Sequence, residues 1–393
     1  MKITFILPAI GLHQLAISNE LYQQLGDDFC FIATQDIRSG RFGLNYDVIA
    51  DELPYVIKAY ASEKEKKHAF AVISDSEAII IGSSPMEYTD CANQNQKALL
   101  LRYSERFFKN GIWRRFVPKT RVTIKRQFLT KKDNLAVICS SAYLPYDLSF
   151  FTQKVRTFKW GYFPEINSYN LNKLMANKPV KAKILWAGRM LKLKHPELAI
   201  EVAEKLKNVK LEFQMTIIGE GELKEKLHKD VFHYHLEDCV TIKDAVETQE
   251  LQREMVNSNI FLFTSDFREG WGAVLNEAMN AGCACIVSHA PGAVPFLICD
   301  GNNGVVYESG NKADFFQKVE RVVCDQDFRT MLGRSANLSI MTDWNPKTAA
   351  QRLIQFTDEY AKTGEYMFFE KGPLSTAPII QNNWYQGGKN DSK

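Results

Sequence analysis

The sequence contains no apolar run long enough to cross a membrane. Its longest ones, such as Ala78 to Ile81 and Ile260 to Phe263, are strand-sized, whereas a spanning helix needs about 20 such residues. The eight cysteines include no C-x-x-C pair, so a disulfide framework or a zinc knuckle is not expected, and buried thiols in a reducing cytosol are. Low-complexity sequence is confined to the last few residues, which excludes general disorder. The opening, Met1 to Pro8, has one lysine and an apolar run cut short by Pro8 and Gly11, with no small-residue cleavage site. It reads as a first strand and its loop.

With 393 residues, 45% hydrophobic and 24% charged, the chain exceeds what one core usually organises, and two domains are expected. Strand-like runs alternate with amphipathic helical stretches throughout, which points to α/β architecture with parallel sheets covered by helices. Strands are expected at Lys2 to Leu7, Phe29 to Ala33, Ala78 to Ile81 and Leu135 to Cys139 in the first half. In the second half they are expected at Lys183 to Ala187, Phe213 to Ile218, Val240 to Ile242, Ile260 to Phe263 and Ala284 to Ser288. The polar, lysine-rich stretch 167–182 divides the two runs. The expected organisation is a first domain 1–166, a linker 167–182, a second domain 183–345, and a C-terminal helix and tail 346–393.

The densest chemistry lies between Phe261 and Gly282, which runs strand, glycine loop, helix, glycine stop. Gly270 and Gly272 let backbone approach a ligand, and the helix that follows turns its free N–H groups toward the loop, which favours an anion. Glu277 lies in this helix beside Val274, Ala278 and Ala281, so its carboxylate is expected to be partly buried and to need hydrogen-bond donors of the kind sugar hydroxyls provide. Taken singly, either glutamate would read as an ordinary surface acid.

Together these residues resemble the E-x7-E signature of family 4 glycosyltransferases, retaining enzymes of the GT-B fold, and the resemblance runs through most of Lys183 to Gly304. GT-B implies two Rossmann-like domains facing each other across a cleft, with a C-terminal helix, here near Ala349 to Tyr360, packing back on the first domain. The resemblance implies that Glu277 holds the ribose of a nucleotide-sugar donor and that Glu269 contacts the transferred sugar. Gly188-Arg189-Met-Leu-Lys-Leu-Lys194 matches the family's R-x4-K, so Arg189 and Lys194 are expected to neutralise the leaving diphosphate. Gly219 and Gly221 resemble its glycine turn near the nucleotide, and Trp271 falls inside the donor loop. Phe296 stands where the family often has an acid.

The first half matches less well. Its first loop, Pro8-Ala-Ile-Gly11-Leu-His13-Gln14, offers Gly11 in place of the family's glycine pair. His13 and Glu105 are the acceptor-side candidates, although a lone loop histidine is more often unremarkable. No D-x-D motif precedes a candidate active loop, so neither a metal nor another cofactor is expected.

Residues 97–132 carry twelve basic side chains and one acid, Glu105, interleaved with aromatic residues. No accompanying module supports nucleic acid as the partner. Arg102, Arg106, Lys109, Arg114 and Arg115 are instead expected to form a surface for a phosphate-bearing lipid acceptor or an anionic membrane, against the plainer reading of a solvated face. The resemblance implies a cytoplasmic hexosyltransferase acting on a saccharide or lipid-linked saccharide in surface polysaccharide or glycolipid assembly. An epimerase acting on nucleotide sugars, or a non-catalytic partner with a decayed donor site, remain the alternatives.

Overall fold

A computed structural model of the chain describes residues 1–36, 53–129 and 134–387. It divides into two units, Met1–Glu165 with Asn345–Ile380, and Ile166–Trp344 with Gln381–Lys393.

Among the described residues, the first unit is built on seven parallel strands: β1 (Ile3–Leu7), β2 (Phe29–Ala33), β3 (Val56–Lys58), β4 (Ala78–Ile81), β5 (Leu99–Ser104), β6 (Leu135–Cys139) and β7 (Arg156–Lys159). Their spatial order is β3-β2-β1-β4-β5-β6-β7. Strands β1, β4 and β6 are buried at every position. That is why they read as unbroken apolar runs rather than as alternation, since helices cover both faces of a parallel sheet. The helix Pro346–Thr363 belongs to this unit and packs on the helix Leu12–Leu25. Asn345 caps it by accepting the Thr348 N–H at 2.8 Å, and Pro346 occupies the first turn, where a missing N–H costs nothing.

The second unit carries β8 (Ala182–Ala187), β9 (Phe213–Ile218), β10 (Val240–Lys243), β11 (Ile260–Phe263), β12 (Ala284–Ser288) and β13 (Val305–Tyr307), ordered β10-β9-β8-β11-β12-β13. The stretch expected as a linker contains the helix Leu171–Ala176 and is tied into this unit. Asn167 N–H donates to Asn280 Oδ1 at 2.9 Å, and Lys178 Nζ donates to the carbonyl of Met255 at 3.0 Å. The tail returns here too, with Tyr385 hydroxyl donating to the Val306 carbonyl at 2.7 Å.

In each sheet the chain reverses its direction of travel once, between β1 and β4 and between β8 and β11. Loops diverge at such switch points, and ligands of doubly wound sheets bind in the crevice beyond the strand carboxyl ends there. The loops after β8 and β11 carry Arg189, Lys194 and Glu269. All eight cysteines are free; Cys139, Cys283 and Cys285 are buried, while Cys299 and Cys324 are exposed. Among the described residues, no helix is long and apolar enough to cross a membrane.

Candidate active site

The loop after β8 is held by backbone contacts that require glycine opposite it. Gly188 N–H donates to the Ile218 carbonyl at 3.0 Å and Met190 N–H to the Glu220 carbonyl at 2.7 Å. At this spacing a Cβ on Gly219 would stand 1.9 Å from the Gly188 oxygen, and one on Gly221 would stand 2.6 Å from the Met190 oxygen. The Gly219-x-Gly221 turn is therefore explained by two loops touching, which fixes the backbone that presents Arg189. Arg189 itself is exposed.

Lys194 and Glu269, singled out separately in the sequence, are ion-pair partners, with side chains only 13% and 15% exposed. Ser265 Oγ donates to the same carboxylate oxygen at 3.3 Å. The pairing is enforced by the loops that carry it. Asp266 N–H donates to the Leu193 carbonyl at 2.9 Å, and Thr264 Oγ1, which accepts from Trp186 Nε1 at 2.8 Å, donates to the Lys194 carbonyl at 2.6 Å.

The next residue, His195, is left-handed (φ 50°). It places Nε2 3.4 Å from Asp266 Oδ2 and Nδ1 2.8 Å from Glu197 Oε1. Its hydrogen bonds to Asp266 and then Glu197 push its pKa up to about 9. Burial would raise Asp266, but the bonds from His195 and Arg268 outweigh it and bring its carboxyl down to about 2. This lattice of charges was not legible in the sequence, because nothing in the spacing of His195, Glu197 and Asp266 marks them as neighbours.

Glu277 differs in kind. Burial pushes its carboxyl up to about 7, and among the described residues its carboxylate has no hydrogen-bond partner. A group so placed gains from any ligand that supplies donors to the charged form. Affinity for such a ligand is accordingly expected to rise with pH through about 7. Glu277→Gln is expected to weaken a nucleotide-sugar ligand that donates to this carboxylate by about 1–3 kcal/mol in calorimetry at pH 8. The same change should raise the melting temperature of the unliganded protein at pH 8 and leave it unaltered below pH 4. The folded-state pKa lies above the unfolded one, so the wild-type carboxyl destabilises the fold only as pH rises and it ionises.

The expected donor-loop contacts separate on inspection. Gly272 has φ 92°, and a Cβ there would stand 2.3 Å from Phe263 Cζ, so the turn demands glycine. Gly270 is buried and lies outside the left-handed region. Trp271, expected to contact the donor, is fully buried and donates its indole N–H to Asn276 Oδ1 at 3.0 Å. Its ring packs beside Phe296 and Trp344 at 6.3 and 6.0 Å. Trp271 is a core residue because its only polar side-chain atom is already engaged, and Phe296 fills that same cluster.

In the first unit, Gly11 caps the helix Leu12–Leu25 with extended backbone (φ −95°) and accepts from Gln14 and Leu15 N–H at 2.9 Å, a conformation open to any residue. His13 stacks on Tyr162 with centroids 5.0 Å apart, and Tyr162 hydroxyl donates to Glu105 Oε1 at 2.6 Å. Lys109 pairs with the other Glu105 oxygen. The two acceptor-side candidates thus share one cluster through a tyrosine that sequence reading passed over. Burial lowers the His13 pKa, and its Nδ1 is buried without a partner.

The basic segment is corrected in part. Residues 102–110 run out of β5 into a loop and turn. Arg102 lies on β5, 2% exposed, and donates to Thr89 and Asn93; Arg106, 3% exposed, pairs with Asp147 at 3.1 Å. Both guanidinium groups are engaged inside the unit. Arg114 and Arg115 lie on the short 3-10 helix Ile112–Phe116, where Trp113 and Phe116 are 64% and 66% exposed. Thr130 to Lys132, at the end of the segment, lie outside the described residues.

Residues 174–338 match the family model for glycosyl transferases group 1. The chain is 27% identical over 214 residues to the amylovoran biosynthesis glycosyltransferase AmsK of Erwinia amylovora, covering 53% of this chain and 52% of that protein. It is likewise 27% identical over 177 residues to a D-inositol 3-phosphate glycosyltransferase of Pseudarthrobacter chlorophenolicus, covering 44% and 42%. In both cases the matched stretch spans about half the relative's length. The fold is that of Anabaena Alr3699/HepE, solved in complex with UDP, at TM-score 0.64 and 13% identity over 91% of this chain and all of that one. The sucrose-phosphate synthase of Thermosynechococcus elongatus aligns at TM-score 0.63 and 15% identity, over 91% of this chain and 98% of that one. Both domains are of the GT-B type.

Proposed function

We propose that this chain, whose residues 174–338 match the family model for glycosyl transferases group 1, moves a hexose or N-acetylhexosamine from a nucleoside diphosphate sugar to a saccharide or lipid-linked saccharide, with retention of configuration. The observation that carries the reading is the Lys194–Glu269 ion pair at the β8/β11 switch point, with Glu277 unpartnered in the helix after β11. A nucleoside diphosphate has what each of these groups lacks. Ribose hydroxyls are donors for Glu277, and diphosphate oxygens draw Lys194 away from Glu269. The freed Glu269 then accepts from a sugar hydroxyl. Arg189, exposed on the same loop, adds a second cation for the charge that builds on the leaving diphosphate.

UDP is the expected carrier; HepE, which has the same fold, was solved with UDP. The cations of this chain do the electrostatic work, so the reaction is proposed to need no metal or other cofactor. On the acceptor side, His13, held largely neutral by burial, and Glu105 are the groups to meet a saccharide hydroxyl. The similarity to an amylovoran biosynthesis enzyme supports a role in surface polysaccharide or glycolipid assembly at the cytoplasmic face.

A peripheral membrane contact is proposed through a revised set of residues: Trp113, Phe116 and Val122, all at least 64% exposed, with Arg114, Arg115, Lys119 and Lys125 around them. Exposed rings rimmed by cations suit a headgroup layer. Trp113→Ser with Phe116→Ser is expected to reduce sedimentation with anionic liposomes about tenfold at low salt, whereas wild type ignoring such liposomes would remove the proposal.

A further inference from the structure

Lys194 and Glu269 meet because the loops behind them are tied together, and part of that tie is the side chain of His195. Its backbone stands in the left-handed region (φ 50°, ψ 51°), which glycine enters freely and a residue with a Cβ enters only at a cost. Strain of this kind persists where the surroundings enforce it, often at functional sites. What histidine brings to the position, and glycine would not, is the ring.

The ring reaches in two directions. Nδ1 lies 2.8 Å from Glu197 Oε1, in the first turn of the helix Glu197–Asn208, and Nε2 lies 3.4 Å from Asp266 Oδ2. Asp266 opens the turn that carries Glu269. Its carbonyl accepts the Glu269 N–H at 3.1 Å, and its side chain accepts the Arg268 N–H at 2.8 Å. One imidazole thus connects the residue after Lys194 to the turn beneath Glu269.

Both ring bonds require the protonated form, because neutral imidazole donates through one nitrogen and imidazolium through two. The surrounding charges favour it. From the helix Glu197–Asn208 come Glu197 and, one turn on, Glu201, which is paired with Lys312. From the loop after β11 comes Asp266, with Arg268 on its far side, and Lys226 acts on Glu197 from the helix Lys224–His233. The two carboxylates in direct contact outweigh the cations behind them, which agrees with a ring held charged up to about pH 9.

We infer that His195 is a positioning residue for the transfer reaction: as an imidazolium it fixes the Lys194 loop to the Glu269 turn, so that a diphosphate opens the ion pair by moving two side chains and not two loops. The inference rests on the donor-site reading given above. Loss of the ring proton leaves one carboxylate facing a nitrogen lone pair, and the tie between the loops is broken.

The test is the pH profile of nucleotide release from UDP-, GDP- and ADP-linked hexoses by the full chain, in wild type, His195→Gly and His195→Asn. Glycine removes the ring and the backbone strain together, whereas asparagine tolerates the left-handed backbone but is too short to span both carboxylates. Wild-type kcat is expected to fall as pH rises through about 9, where the raised pKa is crossed and the second N–H is lost. His195→Gly is expected to lower kcat at pH 8 by about 10- to 100-fold, the scale of a small misplacement of reacting groups. Its KM should stay within about threefold of wild type, because Arg189 and Glu277 still hold the nucleotide, and its kcat should show no further fall through pH 9. If His195→Gly does not fold, judged by circular dichroism, the same pattern is expected in His195→Asn. Turnover within about threefold of wild type at pH 8, or a fall through pH 9 that persists without the ring, would overturn the inference and leave the donor-site reading standing. No release by wild type at any pH would remove that reading and this inference with it.

Discussion

Replacing Glu269 by Gln is expected to lower kcat by about 10²- to 10³-fold, the usual consequence of removing one charged group that stabilises a transition state, while UDP affinity changes less than threefold. The asymmetry follows from the position of the carboxylate. Glu269 lies beside Lys194 and Ser265 in the loop after β11, where a transferred sugar would stand, whereas the nucleoside half of the donor is assigned to Glu277. Turnover assays with calorimetry on the same variant separate the two effects. A matching loss of UDP affinity would mean that Glu269 holds the nucleotide and that the division of labour is wrong. Equal activity would mean that the Lys194–Glu269 pair is only a structural contact.

Arg106→Ala is expected to destabilise the first unit by about 3–5 kcal/mol, because it strands a carboxylate in the interior. Asp147 is fully buried, accepts the N–H groups of Phe107 and Phe108 at 2.8 and 3.0 Å, and has Arg106 as its charged partner at 3.1 Å. Burial pushes the Asp147 carboxyl up against the pull of that guanidinium, so removing the cation leaves the burial penalty opposed only by the two backbone N–H groups. Arg114→Ala, a short distance along the chain, should change stability by less than about 0.5 kcal/mol. Urea unfolding of both variants decides between an interior pair and a solvated cation. Similar losses for the two would contradict the burial assigned to Arg106.

The contrast between Arg106 and Arg114 marks where sequence reading stops. The sheets were legible because parallel strands buried on both faces leave unbroken apolar runs: Ala78 to Ile81 and Ile260 to Phe263 form strands over the residues that the pattern indicates. The tight turns after β9 and β11 were legible because glycines constrained by φ or by close approach, Gly219 and Gly272, cannot be replaced cheaply. A run of arginines carries no such mark. Arg102 and Arg106 look like surface cations until the fold supplies Thr89, Asn93 and Asp147 from other elements. Trp271 misled for a related reason: its place in a glycine loop suggested a ligand, yet Asn276, in the helix that follows, already accepts its indole N–H. Tyr162 and Asp266 were missed because their roles depend entirely on partners distant in sequence, His13 and Glu105 for one, His195 for the other.

The central claim is that the residues at the β8/β11 switch point cleave a nucleotide sugar without a metal. Its most direct test is to incubate the protein with UDP-, GDP- and ADP-linked hexoses in EDTA, without an added acceptor, and to follow the nucleotide and the sugar by NMR. The account predicts slow release of UDP from a UDP-sugar, with the free sugar first appearing as the anomer it had in the donor and with release abolished in Glu269→Gln. Donor that is bound but stays intact under these conditions, or that is returned as an epimerised nucleotide sugar, would contradict it.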